Sequence, residues 1–174
     1  VHEINQIVMP SDLHCLPPVE KAKDLFDCDV FLFCASRGVP GLNQDVEDVR
    51  MAQLDANRSL VEVYAKEAVE KRFEGDFFVV SDPVDPLCKV ALDCGLNPGQ
   101  VRGFGLGVMN ARAAFYDKDG AYAKEGRVYG PHGEDLVVAN SVIFYDPIIS
   151  RQLTQKTVEA NLAVRELGFK PYIA

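Results

Sequence analysis

Gly75-Asp76-Phe77-Phe78-Val79-Val80-Ser81-Asp82-Pro83-Val84-Asp85-Pro86 is the stretch whose reading decides the fold. Its apolar run, Phe77 to Val80, sits between a glycine and a turn that holds two prolines. A run of that length between such residues reads as a strand covered on both faces, as in a parallel sheet. Ser81 to Pro86 leaves the sheet as a rigid turn, because neither Pro83 nor Pro86 can donate to a strand ladder.

Upstream, Asp45 to Lys71 runs without glycine or proline. Its apolar residues (Val46, Val49, Leu54, Leu60, Val61, Tyr64, Ala65, Ala68, Val69) recur at mixed three- and four-residue steps, the pattern of a long amphipathic helix. Ser36 to Leu42, with two glycines and a proline, is a loop. Before it, Val30-Phe31-Leu32-Phe33-Cys34-Ala35 is apolar throughout and reads as another strand buried on both faces. Val19 to Phe26 makes a helical turn or two, and residues 1–18 are loop with a short strand at Gln6 to Met9. Downstream, a helix over Leu87 to Cys94 ends at Gly95, Gln100 to Leu106 holds a third strand, and Val108 to Tyr116 a third helix. Asp117 to Gly126 is an exposed turn. Arg127 to Tyr129 and Leu136 to Phe144 form an antiparallel pair, and Ser150 to Leu167 is a last helix capped by Gly168. Strands alternating with helices predict an α/β fold with an antiparallel addition.

Composition narrows the function. The chain has 174 residues, the size of one domain, and nearly half are apolar. A net charge of −8 without any basic run argues against nucleic acid or an anionic membrane surface as partner. The longest apolar run is far too short to span a bilayer, and the first twenty residues hold no apolar stretch of a secretory signal. Five cysteines without CxxC spacing fit reduced thiols in a cytoplasmic protein, with Cys28 and Cys34 in the core. His2, His14 and His132 lie too far apart to suggest a metal site, and none is expected.

Gly130-Pro131-His132-Gly133-Glu134-Asp135 places a histidine in the tight loop between the two antiparallel strands. Little side-chain bulk is available there to shield it. Histidine suits proton transfer near neutral pH, although a solitary loop histidine is equally compatible with no role at all.

Several stretches, in order, carry a resemblance to the NAD-dependent lactate and malate dehydrogenases over residues 27–135. Asp29 to Ala35 looks like the strand that passes beside the cofactor in that family. Arg50 and Asn57 stand seven residues apart, as the mobile-loop arginine and the asparagine that follows it do. Val80 to Asp85 is similar to Val-Ser-Asn-Pro-Val-Asp, Gly103 to Arg112 to Gly-x-Gly-x-x-Leu-Asp-x-Ala-Arg, and Gly130 to Glu134 to Gly-x-His-Gly-Asp. The resemblance implies that His132 is the acid/base, that Arg112 grips a substrate carboxylate in a bidentate fork, and that Arg50 closes over the substrate, with Asn57 beside it. Ala35 and Ser81 would lie against NAD. It also implies a partial Rossmann-type sheet, the second half of one, over residues 1–82, with residues 83–174 starting a mixed α+β catalytic domain. The first βαβ unit and the last helices would lie outside this chain, and the full-length protein would be a homo-oligomer acting on a small 2-oxo or 2-hydroxy acid.

Four departures accompany the likeness; one is that Ser36 to Val49 is several residues longer than the corresponding active-site loop and carries Asp45, Glu47 and Asp48. No Gly-x-Gly-x-x-Gly follows an early strand, and the glycines at 103, 105 and 107 read better as close packing of a strand against a helix. Met109 stands where the family has the aspartate that orients the histidine. Asp82 replaces the asparagine of the proline turn, which suggests that the carboxylate has moved and pairs with His132; the alternative is that Asp82 only caps the turn after it. An NAD-dependent 2-hydroxyacid oxidoreductase is the leading expectation. A non-catalytic relative kept for binding or assembly, and an unrelated α/β binding domain, are the alternatives.

Overall fold

The structure is a computed structural model, which describes residues 23–38, 49–117, 120, 122–133 and 135–169, with the backbone alone at 49–51 and 123. Three parallel strands, β1 (Val30–Phe33), β2 (Asp76–Val79) and β3 (Val101–Gly103), stand in that order in one sheet. Val30 lies opposite Asp76 and Phe33 opposite Val79, while Phe77 to Val79 face Val101 to Gly103. Helix α1 (Val49–Glu70) makes the crossover from β1 to β2, and α2 (Val84–Asp93) that from β2 to β3.

Side-chain parity decides which face of this sheet is covered. Phe31 and Phe33 of β1 and Phe77 and Val79 of β2 point to the helical side. There Leu54, Val61, Ala65 and Ala68 of α1 meet them, at the three- and four-residue steps of a helix stripe. Leu87, Val90 and Ala91 of α2 complete this first core. Phe26, Phe31, Phe73, Tyr64 and Phe77 add a chain of ring contacts at 4.8–5.8 Å along its edge.

The second core belongs to the rest of the chain. Helix α3 (Leu106–Tyr116), the short α4 (Tyr122–Glu125), an antiparallel hairpin of β4 (Arg127–Tyr129) and β5 (Val137–Ala139), and α5 (Pro147–Glu166) enclose it. Met109, Ala113, Tyr122, Val128, Leu136, Val138 and Leu153 fill it. Asp146 caps α5 by accepting from the N–H groups of Ile148 and Ile149.

Five expectations change. First, β1 is not buried on both faces: Val30 and Leu32 are 47% and 53% exposed, because they point away from the helical side. Phe78 and Phe104 pack ring edge to face at 4.7 Å, and Phe104 too is half exposed. Second, α2 begins at Val84, so Val84-Asp85-Pro86 is its first turn, where the missing N–H of proline costs nothing. Third, residues 117–126 do not form a plain exposed turn. Tyr122 is buried, its hydroxyl donates to Asn110 Oδ1 at 2.7 Å, and its N–H donates to Asp117 Oδ2. Fourth, β5 stops at Ala139 rather than Phe144. Asn140 and Ser141 take over the backbone there: Ser141 Oγ accepts from Ile143 and Phe144, and Asn140 Oδ1 from Asp146. Fifth, Cys28 and Cys34 are exposed and Cys88 and Cys94 only partly covered, all four as free thiols, while Cys15 lies outside the described residues.

Candidate active site

The carboxyl ends of parallel strands are where an open α/β sheet exposes backbone groups to a ligand, and Ala35, Ser81, Asp82 and His132 gather there. Chain leaving β1 through Ala35 and chain leaving β2 through Ser81 are tied together, since Ser81 Oγ donates to the Ala35 carbonyl at 2.7 Å. Asn57, wholly buried on α1, braces both exits. Its Oδ1 accepts from Arg37 N at 2.9 Å, and its Nδ2 donates to Ser36 Oγ at 3.3 Å and to the Asp82 carbonyl at 2.8 Å. Asn57 therefore meets the site through backbone rather than at an open surface. The Asp82-Pro83 peptide, in the cis form, then turns the chain into α2.

Onto this floor the hairpin lowers His132. The expectation of an unshielded loop histidine is corrected: its side chain is only 6% exposed. Three contacts explain the burial. Nε2 faces Asp82 Oδ1 at 3.9 Å, and the main-chain N–H of His132 donates to Asp85 Oδ2 at 2.8 Å. The third is with Gly105, at the N-cap of α3, against which the ring lies so closely that a Cβ there would stand 1.8 Å from Nδ1. Within the hairpin, Gly130 turns the chain at φ 94°, a region glycine enters without strain.

The glycine trio at 103, 105 and 107 separates into distinct roles. A Cβ on Gly103 would meet Val84 Cγ1 at 2.5 Å and Cys88 Sγ at 3.0 Å, so Gly103 serves strand-on-helix packing as expected. Gly105 is the seat of the histidine, and a Cβ on Gly107 would meet open space. Sequence reasoning missed Gly105 and Asp85 as site residues. The signal for Gly105 was a glycine just ahead of a helix, which has many commoner explanations.

Arg112 and Met109 lie one turn apart on α3. Met109 is fully buried in the second core, and the thioether accepts from Arg112 Nη1 at 3.6 Å. Arg112 Nη2 donates to Asn161 Oδ1 of α5 at 2.7 Å. The guanidinium is thus aimed by a neighbouring helix. Arg50 stands in the first turn of α1, and its side chain lies outside what is described, as do Glu134 and most of the loop before α1. Among the described residues no cluster of three histidine, cysteine or carboxylate groups is placed to hold a metal ion. No helix there is long and apolar enough to cross a membrane.

The parallel sheet with helical crossovers and the helix-and-hairpin unit joined to it share the fold of malate and lactate dehydrogenases. Among solved structures, malate dehydrogenase from Aeropyrum pernix is 20% identical, with a TM-score of 0.63 over 87% of this chain and 53% of that one. A lactate dehydrogenase from a Medee basin deep-sea metagenome library is 22% identical, with a TM-score of 0.60 over 86% and 52%. Malate dehydrogenase from Archaeoglobus fulgidus, solved in complex with NADH, is 19% identical at a TM-score of 0.59 over 83% and 49%. The chain spans about half the length of these dehydrogenases. No protein-family model matches the sequence, and no curated protein does.

Proposed function

We propose that this chain supplies the catalytic middle of an NAD-dependent oxidoreductase that interconverts a 2-hydroxy acid and a 2-oxo acid. The observation that carries the reading is His132: a histidine buried beyond the carboxyl ends of β2 and β3, against Asp82 and Gly105, in a fold shared with malate and lactate dehydrogenases. In the whole protein, residues 1–82 would belong to the dinucleotide-binding domain and residues 83–174 would begin the catalytic one. Leu87, Val90 and Ala91 nevertheless pack into the sheet's own core, so α2 would move with the sheet.

The residues present fit the nicotinamide end of NAD. Cys34 to Arg37 are exposed at the end of β1, beside Ser81, whose hydroxyl fixes the Ala35 carbonyl. Bound cofactor would supply or accept the hydride. His132 would give a proton to the substrate oxygen as the carbonyl is reduced, and take it back as the alcohol is oxidised. Arg112 would hold the substrate carboxylate, since a planar fork matches two oxygens. Arg50 would polarise the carbonyl from the first turn of α1, and Asn57 would contribute by holding the Asp82 carbonyl in place. Homo-oligomer formation is proposed for the whole protein, as is a cytoplasmic location.

The test is NADH oxidation with pyruvate, oxaloacetate and related 2-oxo acids by a protein containing this chain and the lengths on either side. His132→Gln should lower kcat by about 10²–10⁴-fold, the range for loss of a positioned acid/base. A rate unchanged by that substitution would refute the reading. Complete burial of Met109, where the resemblance implies a carboxylate, favours a second reading: a relative that binds without turnover. Tight NADH binding with no turnover of any 2-oxo acid would select it.

A further inference from the structure

Asp82 and His132 reach one another from two separately braced pieces of chain. Asn57 holds the carbonyl of Asp82, and Asp85 holds the N–H of His132. Gly105 supports the far side of the ring. The two side chains, 17% and 6% exposed, bring Oδ1 and Nε2 to 3.9 Å. The N-cap of α2 is Pro83, and no side chain caps that helix. A carboxylate this close to a shielded imidazole acts through a lower effective dielectric than water, so its charge weighs strongly on the ring.

We propose that Asp82 is the positioning residue of His132, stabilising its protonated form by charge at 3.9 Å from Nε2 rather than by holding the Nε2 proton, which a substrate oxygen must be able to take. This deepens the oxidoreductase reading and rests on it, since a proton carrier needs its charged form stabilised. The charged groups around the ring do not all act alike. Asp82 from the turn after β2 and Asp85 from the first turn of α2 both favour an imidazolium. The N-terminus of α3, at Gly105, carries the positive end of a helix dipole and works against it. Asp135 in the hairpin is exposed, and Arg112 on α3 reaches towards Asn161. Among the described residues, Asp82 brings a carboxylate oxygen to 3.9 Å from a ring nitrogen. Its contribution holds while Asp82 is ionised and His132 protonated, and disappears as rising pH removes the ring proton.

The test is an NMR titration of the imidazoles in the 174-residue chain, assigned with His132→Gln; only three histidines contribute. Asp82→Asn, which keeps shape and leaves the main-chain bond to Asn57, should lower the titration midpoint of His132 by about one pH unit, a tenfold loss of proton affinity. Asp82→Glu should restore much of it, and Asp135→Asn should move it far less. The proposal is overturned if Asp82→Asn leaves the midpoint in place, or if Asp135→Asn lowers it equally. Should Asp82→Asn unfold the chain, Asp82→Glu decides: a midpoint shift with intact fold supports the pairing and none refutes it. The titration needs no turnover. A protein with the pairing but without NADH oxidation loses the dehydrogenase reading alone, and one with turnover but no midpoint shift loses the pairing alone.

Discussion

Replacing Gly105 by alanine tests the seat of the histidine directly. The new methyl carbon would stand 1.8 Å from His132 Nδ1, 2.7 Å from Cγ and 2.9 Å from Cε1. Ordinary contact begins near 3.4 Å, so the ring must retreat by about 1.6 Å or the start of α3 must move. Backbone strain is not the cause, since φ at Gly105 is −145°, on the side of the map that alanine uses. Overpacking of this kind costs about 1–3 kcal/mol, to which loss of the N-cap glycine adds a few tenths. A double-mutant cycle separates the two. In a His132→Ala background the methyl group has room, so Gly105→Ala should cost only the capping increment. The coupling between the substitutions should be at least about 1 kcal/mol, measured by urea unfolding of the four proteins. Additive costs within about 0.3 kcal/mol would refute the close packing of ring on glycine. In a turning-over protein the displaced ring should also cost about 10²-fold in kcat, the usual penalty for an ångström of misplacement.

Other perturbations probe the parts that hold this seat. Phe33→Ala should cost about 3–5 kcal/mol by equilibrium unfolding and Leu32→Ala under about 1, because adjacent residues of β1 face opposite sides. Met109→Asp should not restore a partner for His132; it should destabilise the chain by about 3 kcal/mol or more, by placing a charge in the second core. Stability should fall between pH 9 and about 12. Burial pushes the Cys88 thiol up to about 11 and the Tyr122 phenol up to about 12, so the unfolded chain ionises first and the folded state loses ground as pH rises through those values. Among 2-oxo acids, a monocarboxylate or one with a cationic tail should be preferred over oxaloacetate, because Asp82 lies beside His132 and would repel a second carboxylate. Steady-state rates tenfold in favour of oxaloacetate would refute that. The isolated 174-residue chain should bind NADH more weakly than micromolar by calorimetry, as no Gly-x-Gly-x-x-Gly follows an early strand in its sequence.

The sheet was legible because its signals are local. Apolar runs at 30–33 and 77–79 between glycine, proline and charge could hardly be anything but strands, and the stretch between them had no breaker. Which faces of those strands are buried was not legible, because that depends on what packs against them. Val30 and Leu32 are as apolar as Phe31 and Phe33, and only the position of α1 distinguishes them. The end of β5 was illegible for another reason: Asn140 and Ser141 satisfy neighbouring backbone groups with their side chains, and a pattern of apolar residues records none of this. At the site, the sequence leaves open whether Asp82 pairs with His132 or caps its own turn; the two side chains lie 3.9 Å apart. Gly105 was passed over, since its importance resides in a ring that arrives from 27 positions further along the sequence.

The placement of a carboxylate at 82 rather than 109 has a packing logic of its own. Position 109 is enclosed by Ala113, Val128, Leu136, Val138 and Leu153, and a methionine there can adapt to an irregular apolar gap. A carboxylate at that point would need a buried cation or several donors to offset its desolvation. Position 82, by contrast, is partly exposed and already belongs to a turn whose backbone Asn57 holds. Its charge therefore costs less to keep, and its direction is set by the brace instead of by a surrounding core. The histidine loop is tied to the sheet's side of the molecule by the same region, through the bond from its main chain to Asp85. Hairpin and sheet are thus joined at the two points that also decide where the imidazole stands.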